Sequence, residues 1–99
     1  MIMKYDWDPM KAEINLVNHK VDFVLAKTVF DDPLHVVLYD RYDPVGDEHR
    51  YNALGFTSNG VFLIVSHVYK GKNGNRTWII SARKGDKYEE KLFREERFK

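Results

Sequence analysis

The sequence predicts a single α+β domain spanning residues 1–99, in which an antiparallel sheet carries two N-terminal helices on one face and runs into a short C-terminal helix. Three observations predict it. Apolar residues at helical spacing stop at Pro33, and β-branched and aromatic runs follow. Asn59-Gly60 and Asn73-Gly74 separate the last three of those runs, and Asn-Gly between apolar runs is the strongest short-range hairpin signal. A chain of 99 residues without cysteine also buries about two-thirds of its unfolded surface, enough for one core without covalent staples.

Taken in order, Ile2 to Trp7 alternates into a short strand whose Met3, Tyr5 and Trp7 share a face. Asp8-Pro9 then places an N-cap acceptor before a proline at the first helical position, and Met10, Ile14 and Val17 are the stripe this helix is expected to bury before it ends near His19. Asp22 caps a second helical segment with Phe23, Ala26 and Phe30 on one face. Pro33 stops it and forces Asp32 to be extended. Leu34 to Asp40 reads as a strand, and Asp43 to Asp47 as an acidic loop. Arg50 to Phe56, Val61 to Tyr69 and Arg76 to Lys84 follow as a meander. Asp86-x-x-Glu89 has the form of a capping box, and with thin apolar content at Tyr88, Leu92 and Phe93 the last helix is expected to be a turn or two, frayed from Glu95 onward.

If both Asn-Gly pairs centre two-residue turns, Ser58 pairs with Val61 and Lys72 with Asn75. Leu54, Phe56, Leu63, Val65, Trp78, Ile80 and Ala82 then lie under the two N-terminal helices, with Arg50, Asn52, His67 and Tyr69 at one end of that face. The opposite face is an open trough floored by Gly55, Ser66 and Ser81, from which Arg83 projects. There Arg83 either binds a phosphate or carboxylate through its planar fork of donors, or covers the sheet paired with a glutamate of the C-terminal segment.

The formal net charge of +1 hides an uneven distribution. Asp31, Asp32, Asp40, Asp43, Asp47 and Glu48 face only Arg41 in one segment, whereas Lys70, Lys72, Arg76, Arg83, Lys84 and Lys87 face only Asp86 in another. The basic segment suits a phosphate-bearing partner or a solvated surface. Without cysteine there is neither thiolate metal site nor thiol nucleophile, and His19, His35, His49 and His67 are too scattered for a structural zinc. No Gly-rich phosphate loop, Gly-x-Ser-x-Gly elbow or His-Glu-x-x-His appears. No metal or cofactor is expected, nor a membrane segment or signal peptide, and the cytoplasm is the default location. The remaining Arg, Lys, His, Glu and Tyr side chains are of the types that can cleave RNA by deprotonating a 2′-hydroxyl and stabilising the phosphorane with fixed cations.

Several of these stretches together resemble one family. Trp7-Asp8 with Lys11, Asn15 and His19, Phe30-Asp31-Asp32-Pro33, Glu48-His49-Arg50 with Gly55, and Ile80-Ser81-Ala82-Arg83-Lys84 followed by Tyr88-Glu89-Glu90 are similar to the motifs of the BrnT family of type II toxins, over nearly the whole chain. Lys20 stands where glycine commonly follows the histidine. Gly85 stands where alanine usually follows Arg-Lys, a change expected to alter only the helix entry. The resemblance implies a RelE-like fold and a metal-independent endoribonuclease that inhibits translation. It further implies neutralisation by a BrnA-like antitoxin, through which alone the complex meets DNA. It points to Arg83 and Arg50 as phosphate or transition-state stabilisers and Glu48 or His49 as base, with Lys84, Tyr88, Ser81, Lys20 and His19 as RNA contacts. The competing readings are an inactive homologue that serves as antitoxin-binding scaffold, and a basic RNA-binding domain with no toxin role.

Overall fold

Five strands form one mixed sheet in the order β1-β5-β4-β3-β2. The computed structural model describes residues 4–97; Ile2 and Met3 of the expected first strand, and Phe98 and Lys99, lie outside the described residues. β1 (Lys4–Trp7), α1 (Pro9–His19) and α2 (Phe23–Ala26, continued by a 3-10 turn over Lys27–Asp31) precede β2 (Val36–Asp43), β3 (Glu48–Phe56), β4 (Phe62–Lys70), β5 (Arg76–Lys84) and α3 (Lys87–Arg97). β2 to β5 are an antiparallel meander, as expected, but β1 lies parallel to β5, with Tyr5 opposite Thr77 and Trp7 opposite Ile79. The helices carry the chain across the sheet, and three hairpin reversals after β2 leave β5 running with β1. The expected all-antiparallel sheet is therefore corrected to a mixed one.

The helix starts follow from local chemistry. Asp8 accepts from the Met10 N–H at 2.9 Å and Asp22 from the Val24 N–H at 2.7 Å, each satisfying a donor of the first turn. α1 ends on Lys20, which takes the left-handed conformation (φ 59°) that glycine favours and donates its N–H to the Leu16 carbonyl. The expected buried stripe is wrong, however. Met10, Ile14 and Val17 are exposed, and α1 turns Ala12 and the fully buried Asn15 inward. Asn15 donates to the Val21 and Ala82 carbonyls and accepts from the Ala82 N–H, and these bonds set that rotation, because β1 ends opposite Ile79 and leaves Ala82 without a strand neighbour on that side.

The core lies between these helices and the sheet. Val21, Phe23, Ala26 and Val29 pack on Ala53, Leu63, Val65, Ile79 and Ala82, with Trp7 edge-on to Phe23. Ala53 and Ile79 are thus on the helix face, and Leu54, Phe56 and Trp78 are not, which reverses the expected register for β3 and for the first half of β5. Two turns account for it. Ser58–Gly60 is a three-residue connection closed by Thr57 and Val61, pairing Phe56 with Phe62. The turn after β4 likewise holds a 3-10 segment, Lys72–Gly74, which pairs Lys70 with Arg76 until a bulge between Ser66 and His67 pairings restores the expected register from Ser66–Ser81 to Leu63–Lys84. A second small core fills the other face, where Phe93 packs on Phe62 and Ile64 beside Val36, Leu54 and Phe56. α3 is consequently eleven residues long, not a frayed turn or two, and its anchor is Phe93 rather than the exposed Tyr88 and Leu92.

Candidate functional site

Because side chains alternate along a strand, Glu48, Arg50 and Asn52 of β3 point to the α3 side of the sheet, together with Ser66 and Lys70 of β4 and Trp78, Ser81 and Arg83 of β5. Arg50 donates from Nη2 to Asp43 Oδ2 at 2.8 Å, while its Nε is buried without a partner among the described residues. Asp43 is held below the ordinary carboxylate range by the Val45 N–H first, then by the Gly46 N–H and the Arg50 guanidinium. Glu48 meets Lys70 at 3.6 Å, and that ammonium lies over the Trp78 ring at 4.7 Å. Ser66 donates to Asn52 at 2.8 Å in the row that continues to Ser81.

Arg83 belongs to the same face but to its other end, in the row of Leu54 and Ile64 rather than of Gly55. Two strands and four residues separate it from Arg50, about 16 Å at the backbone by ordinary sheet spacings. It does not project into an open trough. α3 crosses there, and Arg83 makes a bidentate pair with Glu89 at 2.9 and 2.8 Å. The same carboxylate accepts the Asp86 N–H while Asp86 accepts the Glu89 N–H, which closes the expected capping box. Arg83, and then the Asp86 N–H, lower the Glu89 pKa from 4.5 to about 2. Lys84 and Tyr88 are exposed on either side of this helix entry.

His49 has the opposite parity and lies on the other face. It accompanies an aromatic series that the sequence reading missed. Tyr39 contacts His49 Nδ1 through its hydroxyl at 3.1 Å, Tyr42 packs on His49 at 5.1 Å between ring centres, and Tyr51 bridges Tyr39 and Tyr69. The Tyr39-x-x-Tyr42 spacing places both rings on one face only because the register shifts between Tyr39 and Arg41. His67, expected beside Arg50, also lies here. It is fully buried, bonded to the Val65 carbonyl and the Tyr69 hydroxyl, and burial depresses its pKa. It is a satisfied core histidine.

Of the remaining candidates, His19 and Ser81 line a 320 Å³ cleft between α1 and β5 with Lys11 and Asn18, and Lys20 lies exposed at the helix end beside it. The structure thus brings Glu48 and Arg50 together, sets Arg83 at the far end of their face, and separates His49 from all three.

A family model described as ribonuclease toxin, BrnT, of type II toxin–antitoxin system matches residues 7–89. Among solved structures, the 1.1 Å crystal structure of the Brucella abortus ribonuclease toxin, BrnT, aligns with a TM-score of 0.66 and 22% identity over 86% of this chain and 99% of that one, a likeness of fold. Comparison with curated proteins finds no significant match.

Proposed function

The chain belongs to the BrnT family of ribonuclease toxins of type II toxin–antitoxin systems, and from that premise we propose that it is a RelE-like, metal-independent endoribonuclease that inhibits translation in the cytoplasm and is neutralised by a BrnA-like antitoxin. The observation that supports this reading best is the grouping of Glu48, Arg50, Lys70 and Arg83 on one sheet face, along a floor of Asn52, Ser66 and Ser81. RNA laid along that floor meets a base and fixed cations. Glu48 accepts the 2′-hydroxyl proton, the 2′ oxygen attacks phosphorus, Arg50 stabilises the added negative charge while Arg83, at the far end of the face, holds a neighbouring phosphate, and the leaving 5′ oxygen takes a proton from water as its bond to phosphorus breaks. Glu48 serves as base in preference to His49 because it shares the face of both arginines. Lys84, Tyr88, Ser81, Lys20 and His19 extend the RNA contacts to either side.

Arg50 fits this role, since its part-exposed guanidinium holds one strong bond, from Nη2 to Asp43, and has terminal donors left for a phosphate after Asp43 swings away. Purified Glu48→Gln, Arg50→Ala and Arg83→Ala variants are expected to cleave RNA at least about 100-fold more slowly than the parent in the presence of EDTA. If Glu48→Gln and Arg83→Ala cleave as fast as the parent, the assignment is wrong.

One observation favours the rival scaffold reading. Arg50, Lys70 and Arg83 are each already matched by a carboxylate of this chain. An inactive scaffold would bind its antitoxin tightly without arresting growth, whereas the toxin arrests growth and is relieved by co-expression of the antitoxin.

A further inference from the structure

The aromatic face of the β2–β3 hairpin has no role in the reaction just described, and it is unusual as a surface. Tyr39, Tyr42 and Tyr69 are 56%, 45% and 39% exposed, although each is in ring contact with a neighbour. Tyr51 joins Tyr39 at 5.5 Å and Tyr69 at 5.1 Å, making a continuous platform of rings at the end of the sheet beyond the helices. A 400 Å³ cleft opens at the end of the sheet beside it, lined by Asp47, His49, Tyr51 and Tyr69 together with Glu48 and Val68 of the opposite face. β2 is also the sheet's edge strand, so its outer backbone groups have no strand partner among the described residues.

Charge decides what such a platform takes. Aromatic faces attract either stacked bases or cations. RNA bases would bring phosphates, and the cations of this half of the sheet, Arg41, Arg50 and Lys70, are placed by the register on the opposite face. The acids are matched unequally as well. Asp40 is ion-paired with Arg41, Asp43 with Arg50 and Glu48 with Lys70, whereas Asp47 makes no ion pair among the described residues and accepts only the Tyr42 hydroxyl. The platform therefore combines electron-rich rings with an unmatched carboxylate.

We propose that this face docks a cationic segment of a protein partner, an arginine of which lies flat on the tyrosine rings and pairs with Asp47. A guanidinium suits the site better than an ammonium, being planar, weakly hydrated and able to stack while it donates sideways. The inference rests on the toxin reading only for the partner's identity, which that reading makes the antitoxin. RNA and antitoxin then use opposite faces of one sheet.

The probe is the blocked peptide acetyl-Gly-Arg-Val-Arg-Gly-amide, titrated into isotope-labelled protein and followed by NMR, with the Glu-for-Arg peptide and single-stranded U10 RNA as comparisons. The arginine peptide is expected to shift the Tyr39, Tyr42 and His49 ring resonances saturably, and the glutamate peptide to leave them unmoved. A Tyr39→Leu/Tyr42→Leu double variant should weaken the binding at least tenfold, and D47N about threefold, with both variants retaining a folded spectrum and the parent's rate of RNA cleavage. Equal shifts from both peptides, or undiminished affinity in the variants, overturn the proposal. So does U10 RNA that moves the tyrosine resonances or competes with the peptide, since the face then belongs to nucleic acid. A parent protein that binds the peptide but cleaves no RNA instead overturns the ribonuclease reading and leaves the docking face standing.

Discussion

A Cβ on Gly85 would overlap the ring of Phe62, itself buried against Phe93 and Phe56. The ring cannot withdraw, because the sheet lies behind it and α3 in front, so Gly85→Ala is expected to cost about 1–3 kcal/mol as an overpacking change. Urea unfolding measures this, and a Phe62→Leu background should remove most of it. The sequence shows Gly85 as a departure from the family's motif but not the reason, which lies 23 positions away in the chain and becomes adjacent only through the Gly85 N–H bond to the Phe62 carbonyl. His67 has a different consequence. The Val65 carbonyl can only accept, so Nδ1 carries the proton and Nε2 accepts from Tyr69. Burial keeps the ring neutral with a pKa below its ordinary 6.5. The unfolded chain then binds the extra proton first, so stability falls as pH drops below about 6.5 and through the folded value. Urea midpoints measured between pH 7 and 5 should decline in the parent, and His67→Gln should flatten that decline.

Helices dock here through polar side chains as much as through apolar ones. The Asn15 amide bonds both backbone groups of Ala82 and the Val21 carbonyl, continuing β1 where that strand has stopped. Asn15→Ala leaves buried donors and acceptors unmatched and is expected to cost about 2–4 kcal/mol, whereas Ile14→Ala, one position away on the exposed stripe, should cost under about 0.5 kcal/mol. Thermal unfolding of the two variants makes the comparison. α3 is held by Phe93 and by the Arg83–Glu89 pair. Glu89 falls from 4.5 to about 2 on folding, so its contribution is complete above pH 4.5 and is lost as pH falls toward 2. Glu89→Gln should lack that acid-side loss in helicity followed by circular dichroism. The caps at Asp8, Asp22 and Asp86 are legible in the sequence because each is settled within one turn of backbone. Register is not. An Asn-Gly pair announces a turn without giving its length, and one extra loop residue moves Leu54 and Phe56 to the other face while Ala53 and Gly55 turn under the helices.

At the scale of the molecule, the acidic and basic segments of the sequence do not become an acidic end and a basic end. Strand pairing sets Asp43 on Arg50 and Glu48 on Lys70, and the helix entry sets Glu89 on Arg83, so the charge contrast legible along the chain is largely cancelled across it. What survives is a division between faces, cations with their paired carboxylates on one, tyrosines and histidine on the other. That division was not legible, since it depends on the strand parity that the loops decide. If three cations exchange their carboxylates for phosphates, log affinity for single-stranded RNA should fall with log salt at a slope of about −2, and Arg83→Ala should reduce its magnitude by about 0.7. Filter binding across a salt series tests both. The topology also bears on the order in which the molecule can be made. β5 is the penultimate element among the described residues, yet β1 pairs with it and Asn15 of α1 is bonded to it, so β1 and α1 have no strand to settle on until β5 has been translated. A product released before β5 lacks Arg83 and the strand that seats β1, and a ribosome that stalls on this part of the message yields fragments that cannot complete the sheet.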